Sequence, residues 1–137
     1  MIRIKGREVR VIAVDYDGTL APIGVPFTPD VLNMRAVEAL KTIQGMDVEL
    51  VLWTCQKGEN LASIVKACGQ VGLVFDAVNE NAPRHMQRWL AAHPEDIGVK
   101  QSPKVYADLY IDDNARLSGQ IDWDKLRKQL LSSGGDI

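Results

Sequence analysis

Val11-Ile12-Ala13-Val14-Asp15-Tyr16-Asp17-Gly18-Thr19-Leu20 decides how the chain is read. Four apolar residues, three of them β-branched, predict a strand buried on both faces, as in a parallel sheet. Two carboxylates spaced two apart follow it, and Asp17-Gly18 breaks the strand into a turn. In an open α/β sheet, ligands bind outside the carboxyl ends of the strands. The sequence therefore sets a pair of acids where chemistry would be done.

Upstream, Ile2 and Ile4 alternate with Arg3 and Lys5, and Gly6-Arg7 can turn the chain, so a short edge strand or hairpin leads into the Val9–Val14 strand. Downstream, Ala21 to Phe27 holds Pro22, Gly24 and Pro26 and reads as a loop. Thr28-Pro29-Asp30 has the form of a helix start, and Val31, Leu32, Met34, Val37, Leu40 and Ile43 give that helix an apolar face up to Gly45. Asp47 to Thr54 reads as a second buried strand, and Gln56 to Asn60 as a polar turn. Leu61, Ile64, Val65 and Cys68 form the next helical face, closed by Gly69. Val71 to Phe75 is a third apolar run, residues 82–92 a helix ended by Pro94, and Gly98 to Pro103 a loop. Val105 to Ile111 is a last strand, ending in Asp112-Asp113-Asn114. Asp122 caps a helix from Trp123 to Leu131, after which Ser132-Ser133-Gly134-Gly135 frays. Strands alternating with helices predict an α/β fold, a three-layer, doubly wound, mainly parallel sheet in a single domain spanning 1–137.

At 137 residues, the chain is long enough for one real core. Sixteen basic against eighteen acidic side chains leave a net charge of −2, so no global field attracts nucleic acid or membrane. No apolar run approaches the ~18 residues of a membrane span, and the N-terminus has no segment of signal-peptide length. Cys55 and Cys68 form neither a disulfide framework nor a metal-spacing motif and read as reduced thiols, which suits a cytoplasmic protein. His85 and His93 read as ordinary surface histidines, and Trp53, Trp89 and Trp123 as core or rim residues. Asp108 reads as a structural acid bonded to backbone. No G-x-x-x-x-G-K run is present, which excludes a P-loop nucleotide enzyme.

Asp15-Tyr16-Asp17-Gly18-Thr19-Leu20 at the end of an apolar strand resembles the first motif of the haloacid dehalogenase superfamily, Asp-x-Asp-Gly-Thr-Leu. The resemblance implies a Mg²⁺-dependent phosphomonoester hydrolase working through an aspartyl-phosphate. It makes Asp15 the nucleophile and Asp17 the general acid/base, whose backbone carbonyl also meets the metal. Thr54, closing Leu50-Val51-Leu52-Trp53-Thr54, is similar to the second motif, whose hydroxyl donates to the phosphoryl group. Gly18, Cys55 and Thr54 then supply the phosphate-binding turns. The third motif is a cation that neutralises nucleophile and phosphate. Lys104 fills it, with Lys100 in reserve, although the interval from Lys104 to Asp112 is shorter than the family's usual one. Leu109-Tyr110-Ile111-Asp112-Asp113 resembles the fourth, in which the acid pair, with Asp15 and Asp17, holds Mg²⁺.

Residues 21–27 are too few for a cap domain after the first motif, and the chain between Thr54 and Lys104 is used up by sheet and helices. Such a capless member acts on a bulky substrate or closes its site with a second subunit. A homo-oligomer contacting through Ile23, Val25 or Phe27 is the expectation. The substrate class stays open among sugar phosphates, nucleotides, a nucleic-acid 3′-phosphate and a phosphoprotein. Two rival readings belong to other classes. A response-regulator receiver has its acid pair on the first strand and its phosphoacceptor on the third, the wrong order here. A catalytically silent relative that binds partners would not need every motif position filled.

Overall fold

The computed structural model describes residues 2–4, 6–113 and 121–132. Lys5, Asn114 and the Ser133-Gly134-Gly135 tail lie outside the described residues. An antiparallel hairpin, β1 (Ile2–Ile4) and β2 (Arg7–Val9), leads through Arg10 into β3 (Val11–Val14). After β3 come α1 (Met34–Gln44), β4 (Glu49–Leu52), α2 (Gly58–Gln70), β5 (Ala77–Val78), α3 (Pro83–Ala92), β6 (Leu109–Ile111) and α4 (Trp123–Ser132). β3 to β6 form one parallel sheet in the order β5-β4-β3-β6. The chain steps outward from β3 through β4 to β5, then crosses back to lay β6 on the other side of β3. The reversal falls between β3 and β6, which is the topological switch point where α/β sheets bind ligands. This is a Rossmann-like α/β arrangement of a four-stranded parallel sheet with four helices among the described residues.

Alternation along the strands divides the core. Ile12 and Val14 of β3 and Leu50 and Leu52 of β4 pack with Leu40 and Ile43 of α1, Ile64 and Cys68 of α2, and Trp123 and Leu130 of α4. Val11 and Ala13 of β3, with Val51 of β4, face the other way, onto a smaller cluster that holds Ala77, Ala82, Val105, Ala107 and the edge of Trp53. α3 lies on this thinner side and contributes no fully buried residue of its own. Every residue of β3 is at most 1% exposed, as a central parallel strand should be.

Several boundaries differ from those read in the sequence. Thr28-Pro29-Asp30 begins a 3-10 turn, Pro29–Val31, and Thr28 makes no side-chain cap. α1 starts instead after Asn33, whose Oδ1 accepts the amides of Arg35 at 3.1 Å and Ala36 at 3.3 Å. α2 begins three residues earlier than its apolar face suggests, so residues 58–60 are helical rather than a polar turn. The apolar run Val71 to Phe75 is not the third strand. Gly72 turns there with φ +84°, Leu73 drops into the core, and pairing with β4 begins at Ala77. Likewise β6 is confined to Leu109–Ile111, although Val105 and Ala107 before it are buried. No helix among the described residues is long and apolar enough to cross a membrane.

Candidate active site

The carboxyl end of β3 is built by a tight turn. The amides of Thr19 and Leu20 donate to the Tyr16 carbonyl, and Gly18 N–H donates to Ala21 O at 2.8 Å. Gly18 holds φ +76°, and a Cβ there would sit 3.3 Å from Asp113 Oδ2. Both the left-handed backbone and the approach of the second acidic segment therefore require glycine. Thr19, only 5% exposed, fixes that approach: its Oγ1 accepts Asp113 N–H at 3.0 Å. The ladder to β6 continues one step past the strands, Asp15 N–H donating to Ile111 O at 3.0 Å.

These links gather Asp15, Asp17, Asp112 and Asp113 at the switch point. Asp15 continues the alternation of Val11 and Ala13, so it faces the thinner side of the sheet. Its carboxyl is pushed up to about 6. Loss of hydration is the largest cause; the Tyr16 amide opposes it, and the charges of Asp112, Asp17 and Asp113 add to it. The charges that weigh most on Asp15 are thus all negative. Asp113 Oδ1 is buried and has no hydrogen-bond partner among the described residues. Asp17 is held from outside its own turn: Gln56 Nε2 donates to Asp17 Oδ2 at 2.7 Å.

Thr54 lies two residues beyond the end of β4, not on it. Trp53 N–H extends the ladder to Val14 O, Thr54 N–H donates to Asn79 Oδ1 at 2.8 Å, and Thr54 Oγ1 accepts Gln56 N–H at 3.1 Å. Cys55 is exposed beside it. Thr54, Cys55 and Gln56 thus form the second loop of the site, tied to the first through Asp17. Lys104 stands apart from these bonds. Its ammonium lies 5.1 Å from the centroid of the Tyr110 ring, in a hollow on the α3 side that Lys100 also lines. A second hollow, of about 410 Å³, opens beside the acids between Gly18, Thr19, Ile23, Asp113 and Trp123. Of the three loop residues read as contacts, Ile23 is 75% exposed. Val25 and Phe27 turn inward onto the main core, Phe27 meeting the Tyr16 ring at 5.9 Å.

The side chains gathered at this point, among the described residues, are carboxylates, whose oxygens suit a hard cation such as Mg²⁺. Among the described residues, no three carboxylate, imidazole or thiolate side chains are preassembled as a metal cage. Mg²⁺ rarely needs one, because it keeps several waters and takes one or two carboxylates plus substrate oxygens. The unpartnered Asp113 Oδ1 and the three negative charges that press on Asp15 fit such an ion.

Gln56 and Asn79 escaped the sequence reading, since their partners lie 39 and 25 residues away and neither belongs to a motif. Asp108 behaves as read: its Oδ2 accepts the amides of Arg10 and Val11.

No family model matches the chain, and no curated protein does. Among solved structures, the chain is similar to a conserved protein from Bacteroides thetaiotaomicron. The two are 30% identical with a TM-score of 0.65, over 91% of this chain and 92% of that one. At that identity over nearly the full length of both, the chain belongs to the same family as this conserved Bacteroides protein.

Proposed function

We propose that the chain is a Mg²⁺-dependent phosphomonoester hydrolase of the haloacid dehalogenase type. The carrying observation is the convergence of Asp15, Asp17, Asp112 and Asp113 at the β3/β6 switch point, with Asp113 Oδ1 buried and unpartnered among the described residues. Four acids in one place destabilise a fold unless function retains them.

In the first step, an Asp15 carboxylate oxygen attacks phosphorus. The bond from phosphorus to the ester oxygen breaks, and Asp17 gives its proton to the departing oxygen. In the second, Asp17 takes a proton from water, whose oxygen attacks the same phosphorus. Phosphate leaves and Asp15 is regenerated with its original carboxylate. Gln56 holds Asp17 in place for both proton transfers. The Thr54 hydroxyl, which accepts Gln56 N–H and keeps its own hydrogen to give, is a donor for the phosphoryl oxygens, and Lys104 would supply the neutralising cation. Asp15, one or both of Asp112 and Asp113, and the Asp17 carbonyl would hold Mg²⁺. When bound, the ion screens the attacking carboxylate from the anionic substrate.

Hydrolysis of p-nitrophenyl phosphate by the purified protein tests the reading. Turnover should require Mg²⁺, vanish with excess EDTA and return on adding Mg²⁺. Full activity in excess chelator would remove the metal, and inactivity toward a broad panel of phosphomonoesters would remove the hydrolase.

A further inference from the structure

The hollow on the α3 side holds about 520 Å³, within the range of small-ligand sites. One wall is a ladder of rings. Tyr106 stacks on His85 with centroids 4.2 Å apart and planes 4° apart, and Trp89 stands 6.5 Å further along the helix. Tyr110 lines the same space, and Lys100 and Lys104 lie at its border.

Three of these rings keep much of their apolar surface in water: Trp89 43%, Tyr106 40% and Tyr110 38% exposed. Yet their polar tips are tied. Trp89 Nε1 donates to Asp96 Oδ2 at 2.8 Å, the Tyr106 hydroxyl donates to Asp108, and the Tyr110 hydroxyl donates to Val105 O. A single exposed ring needs no explanation. Trp89 is backed by His93, stacked at 3.8 Å, as Tyr106 is by His85, so three rings fixed at their tips, two of them braced on one face, line one hollow as a preorganised stacking surface.

Its place in the fold gives the surface a use. Tyr110 pairs with Ala13 across the β3–β6 ladder. Asp112 follows Tyr110 by two residues, so alternation brings both side chains to the same face, roughly 7 Å apart along the strand. Asp15, two residues after Ala13, faces that side too. The hollow therefore opens on the same face of the sheet as Asp15 and Asp112, and Lys104, over the Tyr110 ring, lines it.

We infer that this hollow is a nucleobase subsite, so that the ester presented to Asp15 is a nucleoside monophosphate. A planar ring stacks on Trp89, Tyr106 or Tyr110. The sugar spans the Tyr110–Asp112 step, and the phosphate lies toward Lys104 and Asp15. The base-binding half stands on the hollow itself, and the turnover half rests on the hydrolase reading. The same chemistry could be offered by a free mononucleotide or by the phosphorylated end of a nucleic-acid strand. The net charge of −2 favours the free mononucleotide.

Two measurements separate the halves. The first uses adenosine, which has no phosphate, and follows the Trp89 indole N–H by NMR. Adenosine at millimolar concentration should shift that signal, and ribose 5-phosphate should leave it in place. The second compares kcat/KM for adenosine monophosphate, ribose 5-phosphate and a short terminally phosphorylated oligonucleotide. The base-bearing esters should exceed ribose 5-phosphate by about tenfold or more, the size expected of one base–aromatic stack. Trp89→Ala and, separately, Tyr106→Leu should shrink that ratio toward one. A preference for the oligonucleotide over the mononucleotide supports the base subsite and identifies a strand end as its source. A Trp89 shift with no turnover of any ester supports the subsite and overturns the hydrolase reading. No Trp89 shift, or equal turnover with and without the base, overturns the subsite and leaves the hydrolase reading intact.

Discussion

The two ends of the parallel sheet use the same residue types in opposite ways. At the amino end, three acids serve the backbone. Glu49, 2% exposed at the start of β4, accepts the amides of Arg84 and His85 at 3.0 and 3.1 Å. It thereby caps α3, whose own N-cap residue, Ala82, has no side chain to do so. Asp76, just before β5, accepts Leu50 N–H at 2.7 Å, and Asp108, just before β6, accepts Arg10 and Val11. At the carboxyl end, the charges of Asp112, Asp17 and Asp113 press on Asp15. Asp15 is pushed up to about 6, and Asp113 Oδ1 has no partner among the described residues. Satisfied acids hold a fold together, while mutually repelling ones record a demand that folding did not make.

The comparison predicts opposite phenotypes for removing an acid at each end. Asp15→Asn keeps the shape and should lower phosphomonoester turnover by roughly 10³ or more with the fold intact, as nucleophile losses do. A variant retaining a tenth of the activity would dissolve the distinction. Glu49→Ala should do the reverse. It leaves two half-buried amides of α3 without their charged acceptor, a loss of about 2–3 kcal/mol. The midpoint of thermal unfolding should fall by roughly 10 °C, with activity per folded molecule retained. A Glu49→Ala protein as stable as the parent would show that amino-end acids are not structural.

A finer test uses stability alone. With its carboxyl pushed up to about 6, folded Asp15 still holds a proton that the unfolded chain has released above its ordinary value of 3.8. The native state binds more protons across that window, so stability falls as pH rises through it. The penalty is complete above about pH 6 and absent below about pH 4. In EDTA, Asp15→Asn should therefore be more stable than the parent at pH 7, by about 1 kcal/mol once solvent screening of this half-buried carboxylate is counted. At pH 3.5 the two should unfold together. Urea titrations at both pH values check it, and equal stability at pH 7 would contradict the repulsion. The smallest effect belongs to Gln56→Ala, which frees Asp17 from one hydrogen bond. It should reduce turnover several-fold and narrow the pH range of kcat, with little change in KM.

What the sequence disclosed follows the same division. The buried run Val11–Val14, the Asp-Gly turn and the acid pair after Ile111 are local patterns, so their placement at strand ends was legible from spacing alone. The amino-end devices were less so. Asp108 could be read as backbone-bonded, but Glu49 alternates within an apolar strand like any surface residue, and its partners lie 35 and 36 residues away. Boundaries failed where one local signal outweighed another. Asn33 rather than Thr28 caps α1, and the apolar Val71 to Phe75 run gave way to Ala77–Val78 because Gly72 turns the chain before it can pair with β4. Trp89 reads as a core or rim residue, yet α3 covers only a thin core, so its ring is left partly open as the wall of a hollow.

The account rests on Asp15 taking up the phosphoryl group. Beryllofluoride, a mimic of an acyl-phosphate, tests this in the presence of Mg²⁺ by ¹⁹F NMR. A protein-bound signal should appear in the parent chain and persist in Glu49→Gln. It should be absent from Asp15→Asn and from the parent in EDTA. An undiminished bound signal in Asp15→Asn would place the phosphoryl group elsewhere and contradict the assignment of the carboxyl end of β3 as the active site.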